Sequence, residues 1–276
     1  MQKNKFFQTI EERWARGMRV CVGLDPDKRK MSPRLLESKK SSSPILELNE
    51  KVISATKDIA LCYKLNRAFY PGPEGMSVLH NTIAHIRNAV EGAPVIYDAK
   101  FGDIGNTNNG YVEETFEWLK ADAVTLHHTM GKQAMLPFLE HRDKGIFVLC
   151  RTSNEGSDEF QDIIVDSGVG PMPMYLYVAH QVMHHWNYNN NCGLVMGATY
   201  PSDLAEVRRK MCDTPILIPG LGSQDGDVHD AVHAGITKKR CGIIPSSSSG
   251  IMFADDPKVA AQRLAAEIND ALDGIK

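Results

Sequence analysis

Short apolar runs recur along the whole chain, and most of them are rich in valine and isoleucine without polar alternation. Each run is too short for a free-standing helix, and this pattern is typical of strands buried on both faces of a parallel sheet. The eight predicted strands cover residues 20–24, 59–65, 95–99, 123–126, 146–150, 193–196, 216–219 and 242–245.

Amphipathic helices are predicted between these strands. Apolar residues from Leu79 to Val90 recur at helical spacing, and Gly92 follows where a C-terminal cap belongs. Pro201 and Asp256 mark the starts of two further helices, because proline favours the first helical position and aspartate caps an N-terminus.

The alternation of strands and helices predicts an α/β protein with the fold of a (β/α)8 TIM barrel. A doubly wound open sheet is the alternative, because a count of strands does not show whether the sheet closes. We expect residues 1–276 to form a single domain. It would have an N-terminal helix at about residues 2–18 and an insertion at about residues 155–191.

Composition narrows the class of function. The 276 residues are 42% hydrophobic and 24% charged, with a formal charge of −3, which is typical of a globular chain and gives no general attraction to nucleic acid or anionic membranes. The six cysteines form no CxxC pair, and no stretch resembles a membrane span or a secretory signal. We therefore expect reduced thiols and a cytoplasmic location, with neither nucleic acid nor membrane as a partner.

Polar residues concentrate at the predicted carboxyl ends of the strands, where TIM barrels carry their chemistry. Asp98, Lys100 and Asp103 occur together at the third strand, and Lys64 lies near the end of the second. On an extended strand, Asp98 and Lys100 project to the same side. Buried carboxylate and ammonium groups are costly unless they are paired, so this array indicates either a catalytic task or a salt-bridge network that closes the barrel mouth.

Two later segments have the composition of phosphate sites. Residues 219–224 form a glycine-rich turn and residues 246–249 are consecutive serines, so backbone amides and hydroxyls can hold an anion there, although both segments also suit ordinary connections. His127 and His128 follow the fourth strand, but neighbouring strand residues point apart and the chain has no HExxH motif. We therefore expect no metal site.

The stretch from Asp98 to Ile104 resembles the DxKxxDI signature of the orotidine 5'-phosphate decarboxylase family. Further family-like motifs occur in the family's order at residues 22–26 and 63–66, before this stretch, and at residues 151–154, 197–201 and 219–224, after it. The last three resemble the type 2 branch of long bacterial chains. The resemblance implies a homodimeric TIM-barrel lyase of pyrimidine biosynthesis. Such an enzyme converts orotidine 5'-monophosphate to UMP and carbon dioxide without a cofactor.

Residue roles follow from the same resemblance, position by position. Lys100 would stabilise the carbanion at C6 of the pyrimidine and deliver the proton, while Asp98 orients it and Lys64 bridges Asp98 and a ribose hydroxyl. Asp103, as a catalytic acid, and Thr107 would reach into the active site of the partner subunit. The other expected substrate-binding residues are Asp25 for the ribose, Ser153 for the pyrimidine, Gln224 on the loop over the phosphate, and Asn66, Gly222, Ser248 and Ser249.

One position departs from the family pattern. Ser249 stands where the loop after the eighth strand normally carries a phosphate-binding arginine, and a serine offers no charged fork. Because charged hydrogen bonds contribute about 1.5–3 kcal/mol each, we expect efficiency to fall by roughly tens- to thousands-fold. The serine indicates an engineered substitution, a natural variant with another phosphate grip, or a homologue with another substrate.

Two alternative functions stay open on the sequence alone. A related sugar-phosphate decarboxylase or aldolase carries a similar Asp-x-Lys-x-x-Asp strand but needs magnesium. A catalytically weak nucleotide-binding homologue would need no proton donor, and the presence of Lys100 argues against it.

Overall fold

All eight predicted apolar runs form strands, and in the computed structural model these strands pair in parallel and close into one barrel. The closure confirms the (β/α)8 barrel and excludes the open sheet. The structure describes residues 4–38, 40–168, 170–211, 213–221 and 227–275. Within them the barrel strands are β1 Val20–Gly23, β2 Ala60–Asn66, β3 Val95–Phe101, β4 Ala123–Leu126, β5 Gly145–Arg151, β8 Cys192–Met196, β9 Ile216–Pro219 and β10 Ile243–Ser247, and a separate antiparallel hairpin consists of β6 Ile164–Asp166 and β7 Pro171–Pro173.

Helices cover the outside of the barrel. The last one begins at its predicted cap, where the Asp256 side chain accepts hydrogen bonds from two backbone N–H groups. The helices of the described residues are α1 Lys5–Ala15, α2 Pro33–Leu36, α3 Pro44–Thr56, α4 Gly72–Ala89, α5 Gly105–Val112, α6 Gly131–Leu139, α7 Asp158–Gln161, α8 Met174–Gln181, α9 Pro201–Met211, α10 Val228–Gly235, α11 Ser249–Met252 and α12 Pro257–Asp273. Helices α5 and α8 continue as π-helical turns, and short 3₁₀ turns cover Lys28–Lys30 and Arg67–Phe69.

Helix α1 seals the N-terminal end of the barrel. Phe6 and Phe7 meet Phe147 of β5 edge to face, with ring centroids 5.8 and 5.7 Å apart. Gly145 permits this approach, because a Cβ there would lie 2.5 Å from the Phe6 ring. The buried guanidinium of Arg13 donates to two backbone carbonyls of β2 at 2.8 Å. Packed side chains therefore fill the barrel axis at this end.

The chain between β5 and β8 contains α7, the β6–β7 hairpin and α8. Helix α8 packs against β5, where the Cys150 thiol donates to the Tyr175 carbonyl at 3.1 Å. Gln161 of α7 accepts from the backbone N–H of Thr152 at 2.9 Å and donates to the Thr152 hydroxyl at 2.7 Å. This segment thus holds the carboxyl end of β5 in place.

No helix of the described part combines the length and the apolar character that a membrane crossing requires. The described cysteines carry free thiols, and Cys212 lies outside the described residues. Those that are buried are Cys21, Cys62, Cys150 and Cys192, whereas Cys241 is partly exposed.

Candidate functional site

A cavity of about 740 Å³ opens at the carboxyl ends of the barrel strands. Strand ends from around the barrel contribute side chains to this one space, as expected of a TIM barrel. Most of the predicted site residues line it, namely Asp25, Lys64, Asn66, Asp98, Lys100, Ser153, Ser248 and Ser249.

The carboxylate of Asp98 on β3 is the centre of a charge array on the cavity wall. It is buried, and its two oxygens accept hydrogen bonds from Lys64 Nζ at 3.0 Å and from Lys100 Nζ at 2.7 Å. Lys64 Nζ also lies 3.6 Å from a carboxylate oxygen of Asp25. Acids and amines therefore alternate along the array, and their formal charges cancel.

Burial and pairing act in opposite directions on the pKa values of this array. Burial alone raises the pKa of Asp98, but the charges of Lys64 and Lys100 outweigh it and hold that pKa well below its usual range. Burial lowers the pKa of Lys64, but the charges of Asp25 and Asp98 outweigh that effect, so the net shift is upward. Asp98 is thus a carboxylate and Lys64 an ammonium at neutral pH.

The backbone of β3 is irregular where it presents Lys100. Pairing with β4 shifts register between Tyr97 and Phe101, and Lys100 has a φ of +51°, a region that residues with a side chain rarely occupy. The side chains of Asp98 and Lys100 are in contact, as the sequence predicts. The cause is not the regular alternation of an extended strand, which was the basis of that prediction. The irregular backbone directs Lys100 onto Asp98, and strain of this kind is common at functional sites.

Thr125 on β4 is a site residue that the sequence analysis missed. Its hydroxyl donates to the Asp98 carboxylate at 2.8 Å and accepts from the backbone N–H of Lys100 at 3.0 Å. One side chain therefore fixes both the central carboxylate and the irregular backbone. The sequence does contain one indication of this role, since Thr125 is the single hydroxyl residue in an otherwise apolar strand. A buried hydroxyl requires a hydrogen-bond partner.

The serine-rich end of β10 forms another wall of the cavity, which we call the serine wall and define as Ser248 and Ser249. Ser248 Oγ is buried and has no hydrogen-bond partner among the described residues. Gly23 of β1 allows Ser248 to approach closely, because a Cβ at Gly23 would lie 2.6 Å from the Ser248 Cβ. The serine wall therefore offers hydroxyl groups to a ligand.

Asp103 and Thr107 lie outside the cavity of this chain, on the rim beyond β3. Asp103 accepts a hydrogen bond from the backbone N–H of Ile104 at 2.7 Å, Ile104 is 61% exposed, and Thr107 is exposed on α5. Their role in a shared site stays a prediction. Gly222 and Gln224 lie outside the described residues.

His127 and His128 both line the cavity, because they follow the end of β4 and strand alternation no longer separates them. Burial lowers the pKa of both side chains, and the charge of Lys100 lowers that of His127 further. His128 Nδ1 lies 3.1 Å from the Leu149 carbonyl, so Nδ1 carries the proton of the neutral ring. Across the described ranges, His, Cys, Asp and Glu side chains form no group of three that could hold a metal ion.

Comparison with known proteins finds relatives over nearly the whole chain. Residues 18–264 match the model of the orotidine 5'-phosphate decarboxylase / HUMPS family. An orotidine 5'-phosphate decarboxylase from Cellvibrio japonicus is 38% identical over 271 residues, which are 97% of each chain. One from Herpetosiphon aurantiacus is 40% identical over 248 residues, covering 88% of this chain and 90% of the other.

Solved structures show the same likeness. The orotidine monophosphate decarboxylase of Leishmania donovani has a TM-score of 0.85 at 34% identity and covers 98% of this chain and 99% of its own. The UMP synthase of Leishmania donovani has a TM-score of 0.87 at 35% identity and covers 99% of this chain, which spans 57% of that protein's length.

Replacement of Asp98 by asparagine should destabilise the barrel by about 3–5 kcal/mol near neutral pH, because two lysines lose their shared counter-charge. Folding lowers the pKa of Asp98, so its contribution is complete above the unfolded-state value of 3.8 and is lost as the pH falls towards the folded-state value. Urea unfolding at about pH 7 and about pH 3 should therefore show a difference that shrinks at the lower pH.

The control for this measurement is Asp255→Asn, which removes an exposed carboxylate and should change stability little at either pH. A loss for Asp98→Asn that is the same at both pH values would contradict the assigned ion pairs.

Proposed function

The chain belongs to the orotidine 5'-phosphate decarboxylase family and is a carboxy-lyase, and we propose that Lys100 and its paired acids carry out the family's reaction. In that reaction carbon dioxide leaves C6 of orotidine 5'-monophosphate, a proton takes its place, and UMP is formed. Neither the magnesium-dependent alternative nor the weak nucleotide binder has support among these relatives.

The chemical difficulty is the carbanion that remains at C6 when the carboxylate leaves, because the ring offers it no conjugated electron sink of the usual kind. A fixed ammonium beside C6 stabilises this charge and then delivers the proton. The position of Lys100 supports that role, because its ammonium donates to the Asp98 carboxylate at 2.7 Å. Charge that is already oriented needs no reorganisation in the transition state.

The other members of the array bind and orient the substrate in this proposal. Asp98 lies next to the reacting carboxylate and positions Lys100. Lys64, which is paired with Asp98 at 3.0 Å and lies 3.6 Å from Asp25, donates to a ribose hydroxyl, and Asp25 accepts from the ribose. Ser153 and Asn66, which also line the cavity, contact the rest of the nucleoside.

The contact between Lys100 and Asp98 carries this proposal, and a turnover assay tests it. The chain should abolish the orotate absorbance of orotidine 5'-monophosphate, and Lys100→Ala should lower kcat by about a thousand-fold or more, because it removes the proton donor and the stabilising charge together. Lys51→Ala, an exposed change on α3, should leave kcat unaltered. Absence of turnover at high enzyme and substrate concentrations would contradict the function.

We assign the substrate phosphate to the serine wall. The buried Ser248 hydroxyl without a described partner supports this assignment, and Ser249 lies beside it at the start of α11. Binding energy from the remote phosphate can then assemble the charged array around the reacting carboxylate.

Ser249→Arg tests the phosphate assignment. An arginine there should lower KM for orotidine 5'-monophosphate by about tenfold or more, with a smaller gain in kcat, because it adds a charged fork for the phosphate. Ser249→Gln has a long polar side chain without the charge and should give little of this gain. If arginine has no effect or impairs turnover, the phosphate binds elsewhere.

We further propose a homodimer with shared active sites, in which Asp103 and Thr107 complete the cavity of the partner subunit. Their position on the rim, outside this chain's own cavity, supports the proposal. The exposed Ile104 between them, at 61% exposure, provides apolar surface of the kind that protein interfaces bury.

Mixing two inactive variants tests the shared site. Lys100→Ala and Asp103→Ala should each be nearly inactive alone, whereas subunit exchange should restore about a quarter of the sites, since half of the dimers are mixed and each contains one intact site. Size-exclusion chromatography should show the dimer in both variants. A mixture that stays inactive although the subunits exchange would place Asp103 and Lys100 in the same subunit's site.

We also propose that residues 1–276 act as a single domain in the cytoplasm. The free thiols of the described cysteines support a reducing compartment. The packing of α8 on β5 supports the segment between β5 and β8 as part of the barrel domain.

A further inference from the structure

The substrate has a phosphate whose negative charge needs a counter-charge in the cavity. Among the described residues that line the cavity, the permanently charged cations are Lys30, Lys64 and Lys100. Lys64 and Lys100 are both paired with Asp98, and their charges are balanced within the array. Of these three described lysines, Lys30 is therefore the one to which the proposed reaction assigns no role.

Lys30 ends the 3₁₀ turn Lys28–Lys30 after β1 and reaches the cavity from the side of the serine wall. Its ammonium lies 5.9 Å from the centre of the Phe253 ring, within the range of a cation–π contact. The backbone N–H of Phe253 donates to the Ser249 carbonyl at 3.2 Å, so this ring follows Ser249 by one helical turn. The Lys30 ammonium thus lies close to the place assigned to the phosphate.

The acid next to Lys30 at the cavity is hydrogen-bonded to another residue. Asp27 also lines the cavity, but Arg29 holds its carboxylate through two side-chain hydrogen bonds of 2.9 and 2.8 Å. These hydrogen bonds and one from the backbone N–H of Arg29, together with the charges of Arg29 and Lys30, lower the pKa of Asp27 to about 2. Lys30 itself has no ion-pair partner in the part of the chain that the structure describes.

We infer that Lys30 supplies the positive charge that binds the substrate's phosphate, in place of a cation at position 249. The inference rests on the proposed function, and in particular on the phosphate's position at the serine wall. A dianionic phosphate between the Ser248 hydroxyl and the Lys30 ammonium would receive one neutral and one charged hydrogen bond. The flexible lysine stem allows its ammonium to follow the phosphate as the substrate binds and leaves.

Calorimetric titration with UMP and with uridine tests this inference. Lys30→Gln should weaken UMP binding by about tenfold or more, because it removes a charged hydrogen bond to the phosphate, and should leave uridine binding unchanged. Lys28→Gln is the matched control: it removes the same charge from the same exposed turn at a position outside the cavity lining. It should change neither affinity by more than about twofold.

Three results would overturn the assignment of Lys30 to the phosphate. One is equal UMP affinity in Lys30→Gln and Lys28→Gln, and another is a parallel loss of UMP and uridine affinity in Lys30→Gln. The third applies where circular dichroism shows that Lys30→Gln is unfolded. In that case Lys30→Arg, which keeps the charge, and Lys30→Met, which removes it, are compared, and unaltered UMP affinity in both contradicts the assignment. If the decarboxylase function itself is wrong, the unmodified chain will show no turnover. The binding measurements are independent of turnover, so the two failures are distinguishable.

Discussion

The pairing of Asp98 with Lys64 and Lys100 is the interaction on which the rest of the site depends. Buried charges cost several kcal/mol each unless they are paired with good geometry, so the barrel has to hold three side chains from two strands in register. Parallel pairing of Asn66 with Asp98 sets Lys64 two residues earlier on the same face of β2. Thr125 from a third strand then fixes the remaining freedom of the Asp98 carboxylate.

The N-terminal end of the barrel contributes mainly to stability, and the carboxyl end carries the residues of the candidate site. At the N-terminal end, aromatic rings pack together and the buried Arg13 donates hydrogen bonds to strand carbonyls. At the carboxyl end, two features are unfavourable by themselves: the left-handed backbone at Lys100 and the Ser248 hydroxyl, which has no partner among the residues that the structure describes. A well-packed end lets the fold tolerate such local costs at the cavity.

Sequence pattern predicts those features that depend on neighbours along the chain. The eight apolar runs correspond to the barrel strands, and Asp98, Lys64 and Asp25 meet because parallel strands end at the same side. Closure of the sheet and the bulge at Lys100 depend on pairing between strands, which no local pattern contains. The roles of Thr125 and Lys30 could not be predicted from the sequence for the same reason, because each depends on contacts with residues that are distant in the chain.

The distribution of charge explains how a chain with a formal charge of only −3 can bind an anionic nucleotide. The array around Asp98 cancels internally, so it acts on the reacting carboxylate and attracts the distant phosphate little. With the phosphate assigned to the serine wall as proposed, a separate cation is needed there. An exposed lysine there is strongly hydrated and screened by salt, whereas an arginine would present a rigid, weakly hydrated fork. Because phosphate binding energy can also drive the assembly of the charged array, we expect Lys30 to bind the substrate less tightly than an arginine would and to release UMP more readily.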